Sequence, residues 1–456
     1  MNAVLIESAE DTRHSAGEGA EGPADVTAAA VTAVTATDAG LLARFQPIFD
    51  RIRTGALERE ETRRLPHEEI GWLRDAGFGR VRLPEADGGY GASVEQLVLL
   101  LIRLGAADSN IVQALRGHIG FTEFVLAQPP GAYRSFWLAE LADGALVGNA
   151  ESERTGTFAT QGTTVSATPD GRLALTGTKY YTTGSIFADW ILVSTAVAPE
   201  VPGVGKPGEG AVVLATVLVR ADAPGVRIHD DWDGFGQRLT GSGTTDFTDV
   251  EVDARFLLPR TAEPTVQHAV YQLVHLAALA GIGAAALEEI AAFVRGRSRN
   301  LFNPSVPPSQ DPISLQIIGE AFGTVQTVEA TVLAAARSVQ VASVAAADPR
   351  AGRDSAQGSE RAAGADAAAL GLLVRADAHV FGVQPTVIGL VLGLVSRIFE
   401  VGGASATSTS RHLDRLWRNA RTVSSHNPAI YRQQVVGDFV INGTPPGEAL
   451  LRLLTE

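Results

Sequence analysis

An α+β fold in three consecutive parts is what this sequence predicts: a helical domain, an antiparallel β-domain, then a helical bundle. Three observations carry that expectation. From about Gly40 to Ala127 apolar residues recur at helical spacing. From about Leu146 to Pro259 short β-branched runs alternate with glycine turns. From about Val266 onward long Ala/Leu/Val stretches restore the helical pattern. The expected organisation is a flexible tail at 1–38, an N-terminal helical domain at 39–145, a central β-domain at 146–260 and a C-terminal helical bundle at 261–456. A chain of 456 residues is also longer than one ordinary core requires.

The tail is assigned because it is rich in Ala, Thr, Gly, Glu and Asp and has no apolar period. Pro66 is expected to open a helix and Gly77 to close it. Leu83 to Gly91 is a turn-rich loop, and two further helices are broken at Ala107-Asp108-Ser109-Asn110, where Asp or Ser can cap the second. Strands are expected at Thr163–Ala167, Leu173–Thr178, Trp190–Thr195, Ala211–Arg220 and Thr244–Val252, with a hairpin turn at Asp170-Gly171. Within the last part, Ala347 to about Gly358 reads as an exposed connection.

Composition narrows the function. The chain is 45% hydrophobic and 19% charged, which allows a large core. Its net charge of −14 argues against nucleic-acid binding. It has no cysteine, which excludes disulfides, thiolate catalysis and thiolate metal sites. No metal-ligand spacing and no Walker loop occur, and Gly88-Gly89-Tyr90-Gly91 lacks the context of a dinucleotide fingerprint. The first forty residues show no basic-then-apolar leader, so a cytoplasmic protein is expected. Tyr271–Leu287 is the best membrane candidate, but it is short and interrupted by His275, and a buried bundle helix is the expectation.

Several motifs then appear in order. Pro66 to Phe78 contains Leu73-Arg74-Asp75-Ala76-Gly77-Phe78; Leu83 to Gly91 reads Leu-Pro-Glu-x-x-Gly-Gly-x-Gly; Phe247 to Val252 reads Phe-Thr-Asp-Val-Glu-Val; and Arg418-Asn419-Ala420-Arg421 lies near the end. Together they resemble the acyl-CoA dehydrogenase superfamily across roughly residues 41–445. Its dehydrogenases carry a catalytic glutamate eight residues before the first arginine of the last motif. Here that position is Ser410, flanked by Thr409 and Arg411, and a serine at its ordinary pKa cannot take a proton from carbon. A histidine follows instead, in Arg421-Thr-Val-Ser-Ser-His426-Asn-Pro. That combination is similar to the flavin monooxygenases of the superfamily, the dibenzothiophene monooxygenase group above all.

The resemblance implies a two-component enzyme. A separate flavin reductase would supply reduced flavin, FMN with FAD as the other option, and dioxygen would add at flavin C4a to give a hydroperoxide that oxygenates a soft nucleophile. An organosulfur substrate is expected, an amine or amino sugar is the sibling option, and homotetramers are implied. The remaining alternatives are a dehydrogenase whose base has moved, with Glu400 as the spare carboxylate, and a binding protein without catalysis.

Residue by residue, the resemblance assigns Asn149, Glu151 and Ser152 in Gly148-Asn-Ala-Glu-Ser-Glu153 to the flavin pyrimidine edge. It assigns Tyr181, Thr182 and Thr183 to the flavin face and N5. Arg299 and Phe302 fall to a flavin phosphate on a neighbouring subunit, with Arg295 and Arg297 as competing arginines. His118, His426 and Thr183 are the expected catalytic groups. Plainer alternatives stand beside each: a polar strand entry, a Thr/Tyr-rich strand, a helix-end arginine, a core histidine and a helix cap. The second histidine that this branch often carries three residues before the first is Val423 here.

Overall fold

The computed structural model describes residues 36–154, 161–201, 213–259, 265–300, 304–347, 358–427 and 429–455. The expected tail and most of the Ala347–Gly358 connection lie outside them. Six helices come first: α1 (Ala36–Thr54), α2 (Ala56–Thr62), α3 (His67–Asp75), α4 (Val94–Ala114), α5 (Arg116–Ala127) and α6 (Ala132–Ala142). Pro66 stands immediately ahead of α3, where its missing N–H is no loss, and Gly77 follows the helix at φ +79°. α4 begins on a capping box: Ser93 Oγ accepts from the Gln96 N–H, and the Ser93 N–H donates to Gln96 Oε1. The expected break falls inside α4 at Asp108, whose backbone leaves the helical region (φ −160°, ψ 106°). Its carboxylate accepts from both the N–H and the amide of Asn110, which caps the half that follows.

Eight strands follow: β1 (Val147–Ala150), β2 (Thr164–Ala167), β3 (Leu173–Lys179), β4 (Trp190–Val197), β5 (Val213–Arg220), β6 (Val226–Ile228), β7 (Thr245–Val252) and β8 (Leu257–Pro259). They form one sheet in the order β6-β7-β3-β2-β4-β5-β8, with β1 beside β4. The sheet is mostly antiparallel, and the β2–β3 hairpin turns through Thr168–Arg172 with Gly171 at φ +84°. Two pairings are parallel instead. β1 pairs with Trp190–Val193 and β2 with Ala196–Val197, so the two strands lie end to end along one edge of β4. Between them the chain leaves that line after Ala150, and Glu151-Ser152-Glu153 sit in the departure. Val165, Leu175, Ile191, Val193, Val217 and Phe247 form the sheet's core. Trp137 of α6 packs edge-on against Trp190 of β4 with centroids 5.0 Å apart, which ties the first helices to the sheet.

The last part holds α7 (Val266–Arg295), α8 (Pro312–Ala347), α9 (Gly358–Arg397), α10 (Phe399–Gly402), α11 (Asp414–Ser425), α12 (Ala429–Asn442) and α13 (Pro446–Thr455). α7 packs against α4, α5, α8, α9 and α11 and is apolar nearly all round, as a central bundle helix must be. Four helical stretches, in α4, α7, α8 and Ala367–Thr407, are long and apolar enough to cross a membrane by length and composition, and the windows in α4 and α7 are 89% and 72% buried in protein.

Two polar networks lock these parts together. Buried Arg59 donates to Glu69 Oε1 at 2.9 Å, to Asp108 Oδ2 at 2.9 Å and to the Ile52 carbonyl at 2.7 Å. Nearby, the loop Trp232–Ser242 docks on both helical parts. The Gln237 N–H donates to Asn419 Oδ1 at 2.6 Å, the Gln237 amide donates to Ser109 Oγ at 3.0 Å, and Arg418 Nη1 donates to the Phe235 carbonyl and to Glu60 Oε1, each at 2.8 Å. The Arg418-Asn419 motif is therefore a clamp between the β-domain and α11.

Candidate active site

α7 carries its chemistry on one face. His268, Tyr271, Gln272 and His275 recur at i, i+3, i+4 and i+7, so they stand in one row. Each meets a polar or aromatic group from another helix. The His275 and His426 rings lie 4.5 Å apart. The Asn427 amide donates to Gln272 Oε1 at 3.1 Å. Arg116, at the start of α5, lies over the Tyr271 ring at 4.5 Å and donates through Nε to the Tyr271 carbonyl. α5 can approach this closely because its residue 120 is glycine: a Cβ there would fall 2.1 Å from the Tyr271 ring. At the far end of the row, His268 packs edge-on against Phe381 of α9, and Arg432 of α12 covers the same Phe381 at 4.1 Å.

The electrostatics of this face are unusual. His275 is buried and neither ring nitrogen has a hydrogen-bond partner. Burial, with the positive charge of Arg116 adding to it, holds its imidazole neutral. His426, at the end of α11, is exposed at its surface; the protein packed around its imidazole, and then Arg116, lower it from its ordinary value. Burial and then Arg432 bring His268 to about 3 as well. Asp377, one turn before Phe381, is pushed up to about 7 by burial. These are neutral imidazoles beside cations, able to accept or relay a proton but not carrying charge at rest.

The second candidate group lies where β1 ends. Asn149 Oδ1 is buried without a partner and packs against Gly117 of α5, where a Cβ would be 3.0 Å away. The Ser152 carbonyl accepts from the Tyr180 N–H at 2.8 Å, and Glu151 is exposed within electrostatic reach of Arg116. Glu153 accepts from buried Lys179 at 2.7 Å and from the N–H groups of Gly162 and Thr163; burial works against its charge, but these donors hold it at about 2. Tyr181 sits at φ +59°, rare for a bulky residue, with its side chain half exposed and 5.8 Å from the Trp232 ring. Strain of this kind aims a side chain outward. Thr182 and Thr183 are buried in hydroxyl pairs, Thr182 with Thr245 and Thr183 with Ser242, each at 2.8 Å.

His118 is placed differently from His426. Its Nε2 donates to the Gly79 carbonyl at 2.7 Å, while Nδ1 is buried without a partner. Arg116 and Gly120 of α5 face Tyr271, and two residues along a helix turn the side chain by about 200°. Within one chain His118 therefore points away from the His275–His426 pair. Arg299 is exposed beyond the end of α7, whereas the competing Arg297 donates to the Val401 carbonyl inside the chain; Phe302 lies outside the described residues. Around Ser410 the chain is exposed, and its hydroxyl contacts that of Ser408. Glu400 is exposed and ion-paired with Arg397, so the relocated base of a dehydrogenase is not there.

His268, His275, Arg116 and Arg432 are the residues that motif reading passed over. A signal existed for the first two. In a helix otherwise apolar all round, polar residues spaced i, i+3, i+4, i+7 mark a face that meets something other than core. Arg116 and Arg432 have no such signal, because only the packing of α5 and α12 onto α7 brings them in.

The order of domains, the mixed sheet and this site define a class. A profile of the family described as "Acyl-CoA dehydrogenase, C-terminal domain" matches residues 273–429, and the chain resembles the acyl-CoA dehydrogenase superfamily. Within it, the resemblance is to the monooxygenase branch. The chain is 28% identical to dibenzothiophene monooxygenase of Mycolicibacterium goodii over 86% of its own length and 92% of the relative. It is 28% identical, over the same shares, to the probable FMNH2-dependent monooxygenase SfnC of Pseudomonas putida. Among solved structures, FMN-bound TdsC of Paenibacillus sp. A11-2 superimposes with a TM-score of 0.74 at 25% identity, covering 89% of this chain and 98% of that one.

Proposed function

We propose that this chain is the oxygenase of a two-component system: an FMN-dependent monooxygenase that transfers one atom of dioxygen to a sulfur compound. The observation that carries this is a replacement in the site. The dehydrogenase carboxylate is absent from position 410, and two imidazoles meet instead between α7 and the end of α11, His275 and His426, with ring centroids 4.5 Å apart. Reduced FMN, when bound, supplies the two electrons with which dioxygen is divided between substrate and water.

The residues present suit such a group. Asn149 Oδ1 is an orphaned buried acceptor beside strand backbone, and an isoalloxazine edge alternates carbonyls with an N–H. Tyr181 and Trp232, with rings 5.8 Å apart, offer aromatic surface. Thr183, already hydrogen-bonded to Ser242, would hold its hydroxyl in a fixed direction near the reacting edge. His426 would keep a proton at the terminal oxygen while that oxygen is transferred. Neutral at rest, it can donate and take back a hydrogen bond without adding charge to the site.

A flavin reductase is the partner that would deliver reduced FMN. A further copy of the chain suits the outer faces of the last helices, where Ile313, Ile430, Val440 and Ile441 are each at least two-thirds exposed. Arg299, exposed past α7, is then free to reach a flavin phosphate across such an interface, where its fork would bind in two parallel bonds. A homotetramer, held in the cytoplasm where reduced flavin is made, is the arrangement we infer.

The test is oxygen uptake with reduced FMN and a panel of sulfides and sulfinates, with an amine as a separate arm, followed by labelled-oxygen analysis of product. Incorporation of one labelled atom into sulfur supports the assignment. Oxidation of an acyl thioester with a dye acceptor and no oxygen incorporation would overturn it.

A further inference from the structure

Arg432 is a buried cation without the usual company. It is 5% exposed, its Nη1 is buried with no hydrogen-bond partner, and among the described residues it has no ion pair. Its guanidinium lies over the face of Phe381 at 4.1 Å. Burial, with Arg116 adding to it and Asp377 opposing it, brings Arg432 down to about 10, still protonated near neutrality. Asp377 is the carboxylate that should offset it, but burial raises that group to about 7, so its charge is partial where Arg432 carries a full one. The other facing groups are Arg116 from α5 and the three histidines, none of them anionic; Glu151, the remaining carboxylate in reach, acts on Arg116.

A buried guanidinium left this way is costly unless something completes it. Through Phe381, which it shares with His268, it stands at one end of the α7 row whose other end is His275, beside His426. His268 stands beside it, and about 10 Å separate His268 from His275 along the helix. The row is thus cationic at one end and imidazole-lined at the other. A site shaped for a fused apolar ring would be walled by aliphatic and aromatic groups throughout.

We infer that Arg432, backed by Phe381 and flanked by His268, is the anchor for an anionic group of the substrate, a sulfonate, sulfinate or carboxylate, which the chain holds with its reacting sulfur toward His426. This rests on the proposed oxygenase reading and narrows its substrate to acidic organosulfur compounds.

The experiment uses the full chain loaded with oxidised FMN and compares two probes of similar shape by calorimetry: benzenesulfonate and the uncharged methyl phenyl sulfone. Wild type is expected to bind the sulfonate about 10- to 100-fold more tightly, the range of a lost charge-assisted pair. Arg432→Gln should abolish that preference, Arg432→Lys should restore part of it, and FMN affinity should stay within about twofold in both, since the charge is assigned to substrate and not to cofactor. Equal binding of the two probes by wild type overturns the inference, and this arm decides even if Arg432→Gln does not fold. So does a variant that loses FMN while keeping the sulfonate preference, for then the anion is the flavin phosphate. Sulfonate preference that depends on Arg432 without any oxygen incorporation into sulfur would keep this site and remove the oxygenase reading instead.

Discussion

Arg59 and Arg432 are both buried arginines, and they are buried to opposite ends. Arg59 spends its donors on Glu69, Asp108 and the Ile52 carbonyl, at 2.7 to 3.2 Å. Arg432 has an aromatic face, an open Nη1 and no ion pair among the described residues. Burial alone therefore does not separate scaffold from site. The bonding does: a complete network fixes where α2, α3 and the α4 break meet, while the proposed substrate anion would complete the other. Asparagine amides and a histidine show the same contrast, although Gln237 Oε1 of the clamp is also buried without a partner. Asn110 and Asn419 are bonded into the clamp, whereas Asn149 Oδ1 and both nitrogens of His275 are left open.

The largest effect should come from breaking the finished network. Arg59→Met leaves Asp108 buried without its cation and Glu69 with Arg64 alone, and about 3–5 kcal/mol of stability should be lost. Urea unfolding would measure it; a variant as stable as wild type would erase the distinction drawn here. His426→Ala should behave in the reverse way, with stability near wild type but product formation per oxygen consumed falling by about 100-fold or more. Unchanged coupling between oxygen uptake and product would remove His426 from the reaction.

The pH dependence of stability sharpens the contrast further. Asp377 is raised from 3.8 to about 7 in the fold. Between those values the folded chain holds a proton that the unfolded chain has released, so this group's stabilisation is present at low pH and lost as pH rises to about 7. The shift is worth about 4 kcal/mol at most. His268 and His275 act in the other direction. Their folded values lie below 6.5, about 3 for His268 and well below the ordinary value for His275, so their stabilisation is present above pH 6.5 and lost as pH falls. One carboxylate does not cancel more than one imidazole, so the net slope from about pH 4.5 to 6.5 keeps the sign of the imidazoles and the wild-type melting temperature should climb with pH. Asp377→Asn removes the opposing slope and should make that climb steeper over the same range. A profile for the variant that stays flat would mean the imidazoles are not held neutral.

Much of this was legible in the chain itself, and the reasons differ by residue. The α–β–α order follows from hydrophobic period, and the Asp108 break and the Gly171 turn follow from capping and turn chemistry, which are local. The parallel pairing of β1 and β2 with β4 was not legible, because it depends on where the chain rejoins the sheet after Ala150. His426 could be found from its neighbours in sequence. His275 could not be paired with it in the same way: the position that supplies a second imidazole in similar chains is Val423 here, and the imidazole arrives from α7, 151 residues away. Arg432 shows the limit most clearly, since nothing in its own segment distinguishes a buried, unbonded arginine from the solvated one that a helix start usually carries.

The smallest effect tests the clamp. Asn419 Oδ1 accepts the Gln237 N–H in a buried position, and its loss leaves that N–H without a partner. Asn419→Ala should cost about 1–3 kcal/mol, less than Arg59→Met because one neutral hydrogen bond is lost and no charge is stranded. Arg418 binds the adjacent Phe235 carbonyl and Glu60, so the loop keeps a second attachment and should stay docked. FMN affinity and sulfonate preference should then be unchanged while the unfolding midpoint shifts. If Asn419→Ala instead lowers FMN affinity at constant stability, the motif that marks a base in the dehydrogenases still acts on the cofactor here, and its place on the scaffold side of the comparison is wrong.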